Sequence, residues 1–321
     1  MVRLFQPGIF LALLLALLSG LYIPLNYEKP RFFKKPVHEQ KQIKGHADQA
    51  RFVYNYKLAK LGSYRVEHDW FDQISDDELK EFLPESFTKF NYSSYGLLRV
   101  PKLFMKTVPL GLDNVTIGQK KAIFIRLMLP LILRSNEEIW KQRKNLEQAI
   151  NHADYQVIKN IAKIYKINTD SVSIDELIIK VKKCLLPIPT SLALAQAAIE
   201  SGWGTSRFSI QGNALFGQWS WSPKSGLKPL EASNSQAVVR SFPNIQSSVT
   251  AYMKNLNSHS AYQEFRELRT THIKNGKWPD GLDLASAMHP YAETGIHYVN
   301  SIRNIILQNN LERFDYSEFI H

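Results

Sequence analysis

The stretch "IESGWGTSRF", residues 199–208, sets one carboxylate, Glu200, between an Ala-rich apolar run and a Gly-Trp-Gly turn. Leu192, Ala195, Gln196 and Ile199 recur at helical spacing, so the run predicts a helix with one apolar face. Glu200 falls beside that face, and Gly202 suits the left-handed position that ends helices. The acid thus stands in a last turn, where the helix dipole disfavours a negative charge by about 0.3–1 kcal/mol. Desolvation by a neighbour such as Trp203 pushes the same way. Both effects favour the protonated carboxyl. An acid that keeps its proton near neutral pH can give it to a leaving oxygen, which glycosidic bond cleavage requires. The plain alternative is an exposed acid just before a helix-capping glycine.

The neighbouring residues weigh against the plain alternative. "GNALFGQW", 212–219, places Asn213, Phe216, Gln218 and Trp219 within a short span. Trp203, Trp219 and Trp221 fall within twenty residues of one another. Sugars present apolar C–H faces and polar edges, and aromatic rings beside amides match both. Trp203, Asn213, Phe216, Gln218 and Trp219 are therefore the candidate substrate-binding residues, with core packing as the competing role for the aromatics. Other chemistries find less support. Asp280 and Asp283 read as turn and N-cap residues, and Glu293 as a groove-rim acid. The nine histidines form no H-E-x-x-H or equivalent pair, so no catalytic metal and no cofactor is expected. Ser201 lies in no G-x-S-x-G elbow.

Several elements must position these groups. Thr190 or Ser191 is the expected cap of the Glu200 helix. Upstream, Ser75 opens "SDDELKEFLPESF" as an N-cap, and 101–114 reads as an extended, proline-punctuated linker. The longest helical pattern covers 116–150 and contains Pro130, which predicts a kink or two abutting helices. Shorter helices are expected at 152–165 and 173–185, the second with Ser173 and Glu176 at capping-box spacing. "LLPIPT", 185–190, breaks the pattern and marks the expected domain boundary. Residues 218–243 suggest a short hairpin or irregular lobe. Helical pattern resumes at "IQSSVTAYMKNLNSHSAYQEFRELR" and at "YVNSIRNIILQNN".

The chain has 321 residues, 44% of them hydrophobic, enough for a packed core. Its net charge of +11 attracts anionic polymers without choosing among them. Motifs for nucleic-acid binding are missing, so no nucleic acid is expected. Cys184 stands alone and reads as a small core residue. The N-terminus carries an apolar stretch from about Gly8 to Leu25 with no charge between Arg3 and Glu28. Leu18-Ser19-Gly20 makes a poor cleavage site, which favours an uncleaved signal anchor over a cleaved signal peptide. The basic residues Lys29, Arg31, Lys34 and Lys35 oppose export of the C-terminus.

The ordered motifs "LALAQAAIESGWGTSRF", "GNALFGQW", "VVRSFPNIQSSVTAYMKNLNSHSAYQEFRE" and "HPYAETGIHYVNSIRNII" resemble the glucosaminidase domain of glycoside hydrolase family 73. The likeness covers about 190–311, and the half containing "KKAIFIRLMLPLILRSNEEIWKQRKNL" resembles the bacterial Bax family. The resemblance implies a mainly α (α+β) chain: a lysozyme-like glucosaminidase domain with a small β-lobe, preceded by a helical N-terminal domain. The expected divisions are 1–25 (signal segment), 26–50 (basic tether), 51–189 (helical domain), 190–311 (glucosaminidase domain) and 312–321 (tail). It implies hydrolysis of the β-1,4 bond after N-acetylglucosamine in peptidoglycan, with Glu200 as the acid and Tyr291 of "YAET" at the position of the family's tyrosine. Phe242 replaces the usual tyrosine of the "FR-Y" stretch, and Glu231 is the candidate second carboxylate by position. The substrate's own acetamido oxygen is the other route, and either inverting or retaining geometry stays open. The implied partners are peptidoglycan glycan strands and the inner membrane, and the implied place is the periplasm. Lytic transglycosylase-like cleavage and non-catalytic wall binding are the alternatives.

Overall fold

A computed structural model of the protein describes residues 71, 74–87, 90–92, 98–229 and 237–320. The expected signal segment and tether, and Glu231, lie outside the described residues. Ser75 caps α1 (Asp76–Leu79) in a reciprocal capping box with Glu78. β1 (Asn91–Tyr92) pairs antiparallel with β2 (Leu98–Val100). Thr116 and Gln119 form a second capping box at the start of α2 (Ile117–Asn151). α3 (Tyr155–Ile164) and α4 (Ile174–Cys184) come next, the latter capped by Ser173. α5 (Thr190–Ser201) carries Glu200, and α6 (Arg207–Gly212) leads into a lobe of three short strands. These are β3 (Trp219–Ser220), β4 (Gly226–Leu227) and β5 (Val238–Arg240), antiparallel in the order β3-β5-β4. α7 (Ile245–Ser258), α8 (Gln263–Lys274), α9 (Gly281–Leu284) and α10 (Ile296–Gln308) complete the helical body. β6 (Glu318–Phe319) pairs parallel with β2. The fold is mainly α with small strands, in keeping with a lysozyme-like domain.

Pro130 does not divide α2, which is one helix of 35 residues. Residues 122–132 are all buried. Packing on every side of this stretch outweighs the backbone hydrogen bond that proline forfeits. The first half of α2 shares one apolar core with α5, α7 and α10, while Leu146 and Ala149 near its end join α3 and α4 in a smaller cluster. The expected boundary at 189/190 thus falls inside a region where both sides bury surface against the same core.

The "LLPIPT" segment is fully buried. Its backbone is held by side chains from elsewhere. Asn136 donates to the Ile188 carbonyl at 2.8 Å and accepts from its N–H at 2.9 Å. Arg269 donates to the carbonyls of Lys183, Leu186 and Pro187 and to Asn257 Oδ1, at 2.8–3.1 Å. Arg143 donates to the carbonyls of Lys182 and Leu185. These donors satisfy carbonyls that the end of α4 and a proline-broken chain leave without helical partners.

The cap of α5 also comes from a distance. Pro189 occupies the N-cap position and offers no side-chain bond. Asp315 accepts instead from the Ser191 N–H and hydroxyl, each at 2.7 Å. A buried carboxylate at the positive end of the dipole replaces the local cap expected at Thr190 or Ser191.

Candidate active site

Glu200 is the penultimate residue of α5, and Gly202 ends the helix in the left-handed conformation at φ 58°. The residue is half-buried. Burial pushes its pKa up to about 7, against a hydrogen bond from Tyr298 that favours the ionised form. The Tyr298 hydroxyl donates to Glu200 Oε1 at 2.8 Å. The second oxygen, Oε2, faces Gly217, where a Cβ would lie 2.8 Å from it.

A chain of side chains holds Tyr298. Tyr252 donates to Gln196 Oε1 at 2.7 Å, and Gln196 Nε2 donates to the Tyr298 hydroxyl at 3.1 Å. Gln196 stands one turn before Glu200 on α5, so both point the same way. The rings form a continuous aromatic layer. Phe216 stacks on Tyr252 with centroids 3.9 Å apart, and Tyr291 stacks on Tyr298 at 5.5 Å. This layer desolvates the carboxyl, and Tyr298 supplies a hydrogen bond that favours its ionised form. The sequence reading missed Tyr252 and Tyr298, and it took Gln196 as part of an apolar face. A fully buried glutamine demands partners, and tyrosines on the apolar faces of helices 245–258 and 296–308 were the legible signal.

The expected site residues separate into groups. Tyr291 lies beside Tyr298, but its hydroxyl is donated to the Phe216 carbonyl at 2.8 Å. Phe216 is 1% exposed, so its ring supports the tyrosine layer from below and cannot stack on a sugar. Trp203 is half-buried and makes its ring contacts with Phe124 and Lys121 of α2, so the groups set against the carboxyl are Tyr298 and the Gly217 turn. Asn213 ends α6 in the left-handed conformation and donates to the Phe242 carbonyl. Gln218 accepts from the Arg240 N–H through its backbone. The buried side-chain oxygens of Asn213 and Gln218 have no partner among the described residues. Trp219 and Trp221 are the outward aromatics of the lobe, at 36% and 77% exposure. Asp280 caps α9, as its turn context predicts. Among the described residues there is no group of three metal-ligating side chains.

Gly217 has φ 57°, so a side chain there is strained as well as pressed against the acid. Gly217→Ala is expected to lower any Glu200-dependent turnover at least tenfold and to cost about 1 kcal/mol or more of stability. Steady-state rates beside a thermal melt check this. Normal turnover in a folded variant would show that the 217 turn does not set the carboxyl's position.

An acid of raised pKa at the end of a buried helix, beside a small aromatic-bearing lobe, suits a lysozyme-like domain. Residues 176–311 match the glucosaminidase family, described as mannosyl-glycoprotein endo-beta-N-acetylglucosaminidase. Residues 176–311 are thus similar to a Bax-like glucosaminidase domain. Protein bax of Escherichia coli (strain K12) is 30% identical over 190 residues, 56% of this chain and 66% of that protein. No solved structure matches the chain. The family is one of glycosidases acting on peptidoglycan-type or glycoprotein glycans. Among the described residues no helix is long and apolar enough to cross a membrane.

Proposed function

We propose that the protein hydrolyses the β-1,4 bond following N-acetylglucosamine in peptidoglycan, with Glu200 as general acid. The observation that carries this reading is the Glu200 carboxyl, held near pH 7 by burial and bonded through one oxygen to Tyr298. Tyr298 occupies a lone pair of Oε1, so the transferable proton sits on Oε2. Oε2 gives that proton to the glycosidic oxygen as the bond to the anomeric carbon breaks. The carboxylate left behind keeps the Tyr298 bond, which stabilises it for the return proton transfer from water.

The second catalytic group is either Glu231 or the acetamido oxygen of the substrate. Tyr291 positions the acetamido group rather than polarising it. Its O–H is already donated to Phe216, which leaves its oxygen free to accept the acetamido N–H. Trp219 lines the sugar path from the lobe side, and Asn213 and Gln218 shape the turn beneath it. We place the body in the periplasm, tethered to the inner membrane by 8–25, where a net charge of +11 favours the anionic wall.

Purified protein incubated with peptidoglycan, with mass analysis of the ends, tests this. New reducing N-acetylglucosamine ends are expected. Anhydro-muramyl ends would assign a lytic transglycosylase, and wall binding without product at any pH would assign a non-catalytic binder.

Tyr298→Phe gives a finer test. It removes the bond that lowers the Glu200 pKa, so the alkaline limb of the pH–rate profile should move upward. The maximal rate should fall about tenfold because the carboxyl loses its anchor. An unmoved limb would separate Tyr298 from proton transfer.

A further inference from the structure

We propose that a cavity at the N-terminal end of α5 is a second sugar-binding site, taking one N-acetylhexosamine-type ring. This inference rests on the glycan substrate of the proposed function but concerns a different place. The cavity has a volume of about 230 Å³ and is bordered by α2, the 186–190 segment, the residues after α8, and 315–319. Thr190 lines it, whereas Glu200 lies ten residues further along α5, roughly 15 Å away at the rise of an α-helix. It is smaller than the roughly 300 Å³ at which drug-sized pockets begin, which limits it to about one ring.

One wall is made by Trp140 and Trp278, whose rings lie within 19° of parallel at 6.3 Å. Trp140 is 36% exposed, so its indole presents apolar surface to an incoming group. The floor is polar. Four of the five guanidinium N–H groups of Arg269 are committed to carbonyl oxygens or to Asn257, and its Nε has no partner among the described residues. Ser317 is 4% exposed, and its hydroxyl also has no partner among the described residues. The carboxylates of Glu137 and Glu318 also line the cavity, as acceptors for hydroxyl groups. Two acids at the rim, paired at 3.9 and 3.6 Å with Lys102 and Arg99, suit a neutral polyhydroxyl group better than an anion. An aromatic wall and an acceptor rim together match the apolar face and polar edges of a pyranose.

The two halves of this cavity come from different parts of the chain. Arg269 and Trp278 lie inside the family-matched span 176–311, while Trp140, Ser317 and Glu318 lie outside it. The α2 and C-terminal segments therefore complete a site that the matched span alone lacks. A second hold on the glycan would keep a strand attached between cleavage events.

The test uses the full chain carrying Glu200→Gln, which binds without turnover. It is titrated calorimetrically with a trimer of β-1,4-linked N-acetylglucosamine. Two binding steps are expected. Adding Trp140→Ala should weaken one of them about tenfold and leave the other unchanged. Glu318→Ala, which keeps the aromatic wall, should weaken the same step several-fold, and a thermal melt confirms that each variant is folded. A single step that neither variant alters overturns the second site while leaving the Glu200 groove intact. No sugar binding at all overturns both readings. Binding of a wall stem peptide in place of sugar, lost in Trp140→Ala, also overturns the sugar assignment.

Discussion

Glu200→Gln is expected to lower glycan cleavage by roughly 10²–10⁴-fold while making the folded chain more stable above pH 7. The amide keeps the shape of the carboxyl and still accepts from Tyr298, but it has no proton to transfer. The stability gain comes from linkage. The folded-state pKa of Glu200 is about 7, raised from 4.5, so between these values the folded chain holds a proton that the unfolded chain has released. Wild-type stability therefore falls as pH rises through that window and stays lower above it. The variant has no such loss. Its advantage should grow from near zero below pH 4.5 to about 2–3 kcal/mol above pH 7, as an upper range. Chemical denaturation of both proteins at pH 4.5 and pH 8 measures this directly. Wild-type activity should also decline as pH passes about 7, as the acid loses its proton. A pH-independent stability difference, or full activity in the variant, would remove Glu200 from the acid role.

Arg269→Met should destabilise the fold by about 3–5 kcal/mol, lowering the melting temperature by roughly 10 °C. The guanidinium is fully buried and bonded to three backbone carbonyls and Asn257. Methionine fills much of the volume but leaves those oxygens buried without donors, each costing about 1–3 kcal/mol. Burial has lowered the pKa of Arg269 to about 9, so it is a cation at neutral pH and its bonds are charge-assisted. Arg269→Lys should recover only a minor part of the loss, because one ammonium cannot span the fork. A melt unchanged in either variant would mean that the 183–190 segment is held by Asn136, Arg143 and packing alone.

These two residues show how differently the sequence speaks. Glu200 was legible because its context is local. The apolar period, Gly202 and the position in the last turn all lie within ten residues, and together they fix helix, stop and raised pKa. Capping at Ser75 and Ser173 was legible for the same reason, since each cap bonds only three residues ahead. Arg269 gave no signal. Its carbonyl partners lie at 183–187, more than eighty residues earlier, and nothing near it in the chain demands a buried cation.

What the sequence determined by itself is the set of helices, the short β-lobe and the one acid with reason to hold a proton. Local hydrogen bonding and side-chain period carry that information. Tertiary structure decided which groups meet the acid: Tyr298 instead of Tyr291 or Trp203, because the stacked rings of α10 and the segment before it bring the second tyrosine to Oε1. It also decided that "LLPIPT" is a buried strap held by distant side chains, and that Asp315 caps α5 across 124 residues. Such pairings are set by how the helices pack around one core, and the spacing of residues along the chain does not encode them.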